Sequence, residues 1–238
     1  MTRVWVTRSA PAGERLATAL RDAGIRAEWV SALRIEALSA PRILSLKTPG
    51  VSGDSGLEVD LGIVVSQHAA RLYRQSDYFD PKRKHLAIGT ATARALGFDA
   101  EIASRSDTAG VLAHPALDDQ SQSTLLIAGE GGRQDLLDAL RGRPGASCKL
   151  ELYRRVPADL AALRPGEGDM MEVSSLYALR AIKAEWARLQ RQAAGVHLIV
   201  PSHRIAEEAG ALGFERVYVA SSATVQDMVA GVFEWQEQ

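Results

Sequence analysis

Hydroxyl side chains follow several short apolar runs of this sequence, each where a helical pattern begins. Such a helix start presents unpaired N–H donors and a partial positive charge, which together attract anions. The same residue types are preferred helix N-caps, so capping alone explains each of them equally well. As a set they predict anion-binding sites with no strong acid or base. The positions are Ser66, Thr92, Ser175, Ser202 and Thr224.

A glycine-rich turn, Gly129-Glu130-Gly131-Gly132-Arg133, follows another apolar run. It lacks the spacing and the trailing Lys-Ser/Thr of a nucleotide-binding P-loop. Backbone N–H groups of such a turn, at Gly131 for example, can face an anion, and Arg133 can add a bidentate contact. Simple turn geometry accounts for the glycines equally well.

Motifs for other chemistry are absent from the sequence. The five histidines have neither i,i+4 pairing nor a nearby acidic partner motif, so we expect no metal site. There is no G-x-S-x-G elbow, Walker lysine or G-x-G-x-x-G fingerprint.

Charge and cysteine content narrow the class of protein. The 238 residues include 28 Lys+Arg and 29 Asp+Glu, which gives a net charge of -1 and argues against nucleic-acid or membrane-surface partners. A single cysteine, Cys148, excludes a disulfide framework and indicates a cytosolic location. Apolar runs are too short to span a bilayer. Arginine exceeds lysine by 23 to 5, which fits either an anionic ligand or the codon usage of a G+C-rich genome.

The elements that carry these residues alternate along the chain. Short apolar runs are followed by polar turns and alanine-rich stretches of helical period, which predicts βαβ units and the α/β class with parallel sheets. The halves look like versions of one unit, since V-V-S-Q-H-A at 64–69 is similar to V-S-S-L-Y-A at 173–178. Gly24, Gly97 and Gly213 fit left-handed helix ends.

Two extended, alternating segments, near 27–36 and 148–156, enclose the first repeat. As antiparallel linker strands they would join an inserted domain, 36–150, to a discontinuous domain, 1–32 plus 157–238. The Pro-, Gly- and Ser-rich segment 39–59 is assigned no structure.

Taken in order, these motifs resemble the uroporphyrinogen-III synthase family of tetrapyrrole and heme biosynthesis. The resemblance spans almost the whole chain. It consists of V-W-V-T-R at 4–8, V-V-S-Q-H-A-A at 64–70, A-I-G-T-A-T-A-R-A-L-G-F at 87–98, A-G-E-G-G-R at 128–133, L-Y-R-R at 152–155, V-S-S-L-Y-A-L at 173–179 and P-S-H-R-I-A-E-E-A at 201–209.

The resemblance implies a monomeric, cofactor-free, cytoplasmic lyase made of two α/β domains joined by a two-stranded linker. Members act on the linear tetrapyrrole hydroxymethylbilane. They expel its terminal hydroxyl, pass through a spiro-pyrrolenine and close the macrocycle with ring D inverted. We expect the anionic bilane to be held between the two domains. A non-catalytic two-domain protein that binds or senses an anionic small ligand is the alternative.

Site residues follow from the resemblance position by position. Tyr153 matches the tyrosine on the returning linker that is proposed to protonate the departing hydroxyl, and a phenol is protonated at neutral pH. An amphipathic hinge residue is the other interpretation of Tyr153. Gln67-His68 stands where the family usually has Pro-Asn, which puts contacts there in doubt. The residues that match substrate-binding positions are Arg8, Ser66, Thr92, Gly131, Arg133, Ser175 and Ser202.

Overall fold

The computed structural model describes residues 3–46, 59–132, 134–190 and 195–237. Contacts divide the chain into two compact units: unit 1 contains Met1–Arg34 and Val156–Gln238, and unit 2 contains Ile35–Arg155. Both units alternate strands with helices, which confirms the predicted α/β class. Within the described ranges, no helix is both long enough and apolar enough to cross a membrane.

The elements follow one another in a regular order. The strands are β1 (Arg3–Val6), β2 (Arg26–Trp29), β3 (Leu33–Ser45), β4 (Leu61–Val64), β5 (Lys84–Ala87), β6 (Glu101–Ile102), β7 (Thr124–Gly129), β8 (Ser147–Pro157), β9 (Met170–Glu172), β10 (His197–Val200) and β11 (Arg216–Val219). The helices are α1 (Ala12–Asp22), α2 (Gln67–Arg74), α3 (Thr90–Leu96), α4 (Thr108–Leu112), α5 (Gln134–Gly142), α6 (Leu176–Arg188), α7 (His203–Ala211) and α8 (Val225–Gln236), with a short 3-10 helix at Pro115–Leu117.

Unit 1 is a parallel five-stranded sheet in the order β2-β1-β9-β10-β11. Alternate residues of β1 enter different cores because strand side chains point to opposite faces. Val4 and Val6 pack with Leu16 of α1 and Met228 of α8. Trp5 belongs to the other core, which is built mainly on α6 and α7. Apolar cores on both faces explain why these strands have little polar alternation.

Unit 2 is a six-stranded sheet in the order β3-β8-β7-β4-β5-β6. Strands β4 to β8 are parallel. β3 runs antiparallel to β8, since Glu36 near its start pairs with Arg154, whereas the N–H of Leu46 just beyond its end donates to Ser147. The chain crosses between the units within β3, after Arg34, and within β8, after Arg155.

The two parallel sheets share one spatial arrangement although their chain orders differ. The order β2-β1-β9-β10-β11 of unit 1 corresponds to β8-β7-β4-β5-β6 of unit 2. In unit 1 the pair β1 and β2 comes before the other three strands in the chain. In unit 2 the equivalent pair, β7 and β8, comes after the other three. The two sheets are therefore related by a circular permutation. The similarity predicted from the Ser66 and Ser175 repeats therefore holds for the whole sheet, because β4 and β9 occupy equivalent places.

Three local features differ from the sequence expectations. The segment near 27–36 is broken, because the N–H groups of Val30 and Ala32 donate to the end of β1 and keep β2 in the sheet of unit 1. Residues 39–45, assigned no structure, continue β3 because they pair with β8, while 47–58 lie outside the described residues. Helix α4 and the 3-10 helix were not predicted, since both are too short to show a period.

Candidate functional site

Each sheet has a topological switch point, where chain order reverses between neighbouring parallel strands. Ligands of open α/β sheets bind outside the carboxyl ends of the strands at such points. In unit 1 the switch lies between β1 and β9, and in unit 2 between β4 and β7. Arg8 and Ser175 follow the two switch strands of unit 1, and Ser66 and Gly131 follow those of unit 2. Arg133 lies outside the described residues.

Ser66 and Tyr153 meet in unit 2, 87 residues apart in sequence. Ser66 is the N-cap of α2, where its Oγ accepts the N–H of Ala69 at 3.0 Å. The same Oγ lies 3.0 Å from the hydroxyl of Tyr153 on β8. One predicted binding residue and the predicted proton donor are therefore direct hydrogen-bond partners.

Tyr153 is tightly enclosed and only 1% exposed. The guanidinium of Arg155 donates to its hydroxyl at 3.1 Å and lies over its ring, 5.4 Å from the centroid. His68 meets the ring edge-on at 5.9 Å. A register shift next to Gly129 sets the ring against that glycine, where a Cβ would lie 2.6 Å from ring carbons of Tyr153. Bulges of this kind re-aim side chains beside functional sites.

The glycine turn beyond β7 is tied to buried charges. Gly131 has φ +69° and Gly132 has φ +107°, a left-handed region that favours glycine. The ammonium of Lys149 donates to the carbonyl of Gly131 and, at 2.6 Å, to the carboxylate of Glu151. Burial raises the pKa of Glu151, but hydrogen bonds from Lys149 and Arg42 outweigh burial and hold this pKa below its usual value. The turn is thus held by charge-assisted contacts.

The switch point of unit 1 contains a buried ion pair. Arg8 donates from Nε to Oε1 of Glu172 at 2.6 Å and from Nη1 to the carbonyl of Ala223 at 2.7 Å. The other carboxylate oxygen of Glu172 accepts the N–H of Thr7 at 3.2 Å. Arg8 is therefore engaged by its own unit, where the sequence predicted only an anion contact.

The predicted hydroxyl positions serve their helices differently. Ser175 caps α6 by accepting the N–H of Ala178 at 3.1 Å, and Thr224 caps α8. Ser202 stands at the N-cap of α7 without a side-chain capping bond. Thr92 is not an N-cap: Gly89 holds that place, and Thr92 is a buried residue of the first turn of α3. The predicted N-cap at Thr92 was wrong because the helix begins at Thr90.

Sequence reasoning missed the charged partners of these residues. Glu172 ends an otherwise apolar strand, and its contacts with Arg8 and Thr7 span more than 160 residues. Lys149 and Glu151 carried a usable signal, because two opposite charges two residues apart share one face of a strand. Within the described ranges, no group of three or more His, Cys, Asp or Glu side chains could hold a metal ion.

Comparisons with known proteins agree with this architecture. A family model for uroporphyrinogen-III synthase HemD matches residues 14–230. The uroporphyrinogen-III synthase of Salmonella typhimurium is 28% identical over 92% of this chain and 95% of that protein. A mutant Thermus thermophilus uroporphyrinogen III synthase shares the fold at 18% identity, with a TM-score of 0.58 over 100% of both chains. The Helicobacter pylori enzyme shares it at 15% identity, with a TM-score of 0.60 over 98% of this chain and 99% of that one. The chain belongs to the uroporphyrinogen-III synthase family.

Proposed function

We propose that this protein converts hydroxymethylbilane into uroporphyrinogen III, as a lyase that releases the terminal hydroxyl as water and closes the macrocycle with ring D inverted. The observation that carries the proposal is the Ser66–Tyr153 hydroxyl pair at the switch point of unit 2, in a chain of this family. The enzyme works as a cytoplasmic monomer without metal or cofactor.

Substrate binding is assigned to the carboxyl edges of the sheets. The bilane carries acetate and propionate groups, and carboxylates are stabilised by helix N-termini and by charge-assisted hydrogen bonds. Unit 1 offers Arg8, Ser175 and Ser202, of which Ser202 has a hydroxyl that caps no N–H. Unit 2 offers Ser66 and the turn at Gly131. Thr92 supports the start of α3 from a buried position, and Arg133 remains a prediction from the sequence.

Orientation is the main catalytic contribution in this proposal. The bilane also cyclises without enzyme, to the uninverted isomer, so the protein must favour one closure over the other. A difference of about 1.4 kcal/mol between the two barriers changes the product ratio about tenfold. Holding a flexible chain in one folded shape can supply several such tenfold factors without a nucleophile.

Tyr153 is assigned the role of proton donor to the departing hydroxyl of the substrate. Its oxygen accepts from Arg155, and Ser66 can donate its hydroxyl proton to the same oxygen while its Oγ accepts the N–H of Ala69. In that arrangement the phenolic proton is free for the substrate, and the cation of Arg155 stabilises the phenolate that remains. A phenol this enclosed reaches substrate only after its neighbours shift, which agrees with a modest catalytic share.

A coupled assay tests the proposal against its alternative. Hydroxymethylbilane is generated in place, and the type I and type III products are separated after oxidation. The proposal predicts type III product at a rate proportional to protein concentration. A binding or regulatory protein would instead be stabilised thermally by the bilane and give only type I product at the uncatalysed rate.

A further inference from the structure

Glu172 is a buried carboxylate whose oxygens are all engaged by residues at the end of β1. The side chain is 1% exposed. Oε1 accepts from Nε of Arg8 at 2.6 Å, and Oε2 accepts the N–H of Thr7 at 3.2 Å. The hydroxyl of Thr7 donates back to the main-chain carbonyl of Glu172 at 2.6 Å. These contacts fix the carboxylate on the two switch strands of unit 1.

Arg8 is held at two of its three side-chain nitrogens. Nε donates to Glu172 and Nη1 donates to the carbonyl of Ala223, so the planar guanidinium cannot rotate without losing a charge-assisted bond. Nη2 is buried and has no hydrogen-bond partner among the residues that the structure describes. The side chain as a whole is 10% exposed. A buried donor without an acceptor is unfavourable and calls for a ligand or a bound water.

The position of this donor identifies the acceptor. Arg8 and Glu172 lie at the carboxyl ends of β1 and β9, where open α/β sheets bind ligands. Ser202, after the next strand, has a hydroxyl that caps no N–H. We propose that Glu172 is a positioning residue that holds Arg8 so that Nη2 binds one carboxylate oxygen of the substrate; the inference rests on the proposed function.

The charge balance of the pair sets what kind of contact this is. Glu172 neutralises most of the charge of Arg8, so the site offers one directed N–H donor and little net attraction. A single carboxylate oxygen suits this geometry better than a bidentate grip, which would need two free guanidinium nitrogens. The strength of this contact therefore depends on the orientation of Nη2, which Glu172 fixes.

The test is Glu172→Gln, alone and combined with Arg8→Lys. Glutamine keeps the shape but replaces one acceptor oxygen by an NH2 donor, so Arg8 Nε and the N–H of Thr7 cannot both be accepted and the charge-assisted hold on Arg8 is lost. We expect KM for hydroxymethylbilane to rise about tenfold and kcat to stay within about twofold. In the Arg8→Lys background, which has no Nη2, Glu172→Gln should cause no further rise in KM.

Asp169→Asn is the matched control. Asp169 bridges the same two strands at their amino ends, where it accepts from the N–H of Arg3 at 3.3 Å and from Nε1 of Trp5 at 2.9 Å. Its replacement removes a carboxylate from the same strand pair, far from the carboxyl edge. We expect a lower melting temperature with an unchanged KM.

Four outcomes overturn the inference. An unchanged KM in folded Glu172→Gln does so, and so do additive effects of Glu172→Gln and Arg8→Lys. If Glu172→Gln does not fold, Arg8→Lys alone decides, because it keeps a cation beside Glu172: an unchanged KM contradicts the inference. A wild type that makes only type I product overturns the proposed function and this inference with it, whereas an active wild type with unchanged variants overturns this inference alone.

Discussion

Equivalent places in the two units carry different chemistry. At the switch point of unit 1, a buried ion pair, Arg8–Glu172, joins β1 to β9. At that of unit 2, the corresponding strands β7 and β4 present Gly129 and Ser66, and the hydroxyl of Tyr153 enters from β8. One arrangement of strands thus supports a charged contact in one unit and an uncharged hydroxyl pair in the other.

The fold sets one property of these sites, and the side chains set another. The parallel sheet places helix N-termini and strand ends at one edge in both units. The residues there then decide whether the edge orients a carboxylate, as we infer for Arg8, or a proton, as we propose for Tyr153. Variants at the two switch points should therefore fail in different ways.

The largest effect is expected when the ion pair is broken from one side. Glu172→Leu leaves the guanidinium of Arg8 buried beside an apolar group, which should lower the free energy of unfolding by about 3–5 kcal/mol. Arg8→Leu combined with Glu172→Leu should recover much of this loss, since no uncompensated charge remains. Urea denaturation of the two single variants and the double variant measures both terms. A loss below about 1 kcal/mol for Glu172→Leu would show that the pair is solvated.

The hydroxyl pair of unit 2 should be sensitive to packing at Gly129. Gly129→Ala places a Cβ 2.6 Å from ring carbons of Tyr153, so we expect overpacking to cost about 1–3 kcal/mol and to displace the phenol from Ser66. Gly142→Ala is the control, because a Cβ there meets nothing within 4 Å. Thermal melts compare the two. Equal stabilities would mean that Tyr153 yields without cost.

Tyr153→Phe separates catalysis from packing in the same place. The ring stays, while the hydrogen bonds to Ser66 and Arg155 are lost. We expect kcat to fall by a modest factor, on the order of tenfold or less, because orientation supplies most of the effect. Steady-state kinetics with hydroxymethylbilane measures the change, and unchanged kcat would remove Tyr153 from the mechanism.

Serine-to-alanine variants test the carboxyl edges of both sheets. Ser66→Ala and Ser175→Ala each remove a capping bond and should cost about 1 kcal/mol. Ser202→Ala removes no capping bond and should leave stability unchanged while it weakens substrate binding. Melting temperatures and KM values for the three variants give the comparison. A destabilised Ser202→Ala with normal KM would assign that serine to the helix alone.

Acid should affect unit 2 through His85. Burial lowers the pKa of His85, a 4% exposed residue of β5 next to the hydroxyl of Tyr73. The folded state then binds fewer protons than the unfolded chain, so stability is complete above the unfolded pKa of about 6.5 and falls as pH drops below it. Urea midpoints at about pH 7.5 and 5.5 measure the loss.

The half-buried His197 of unit 1 also has a pKa that burial lowers, so acid can destabilise the protein through this residue as well. His85→Gln is the control that isolates the contribution of His85. The variant should lose less stability on acidification than the wild type. An equal loss in both proteins would assign the pH dependence to other groups.

Local patterns predicted the fold well and the site in part. The hydrophobic period and the turn and capping residues located the strands and most helices. Gly24, Gly97 and Gly213 have the left-handed φ expected of helix ends. Ser66 and Ser175 were identifiable because a cap depends on residues three positions away. Glu172 was not, because its partners Thr7 and Arg8 come from the other end of the chain and only the sheet brings them together.

The isomer ratio of the product shows whether the protein controls the closure of the macrocycle. With protein in excess over hydroxymethylbilane, enzymatic closure outpaces the spontaneous reaction, and the macrocycle formed in a single turnover is separated into types I and III. Control of closure by orientation predicts that type III predominates. Type I alone, formed at the rate seen without protein, would contradict the account.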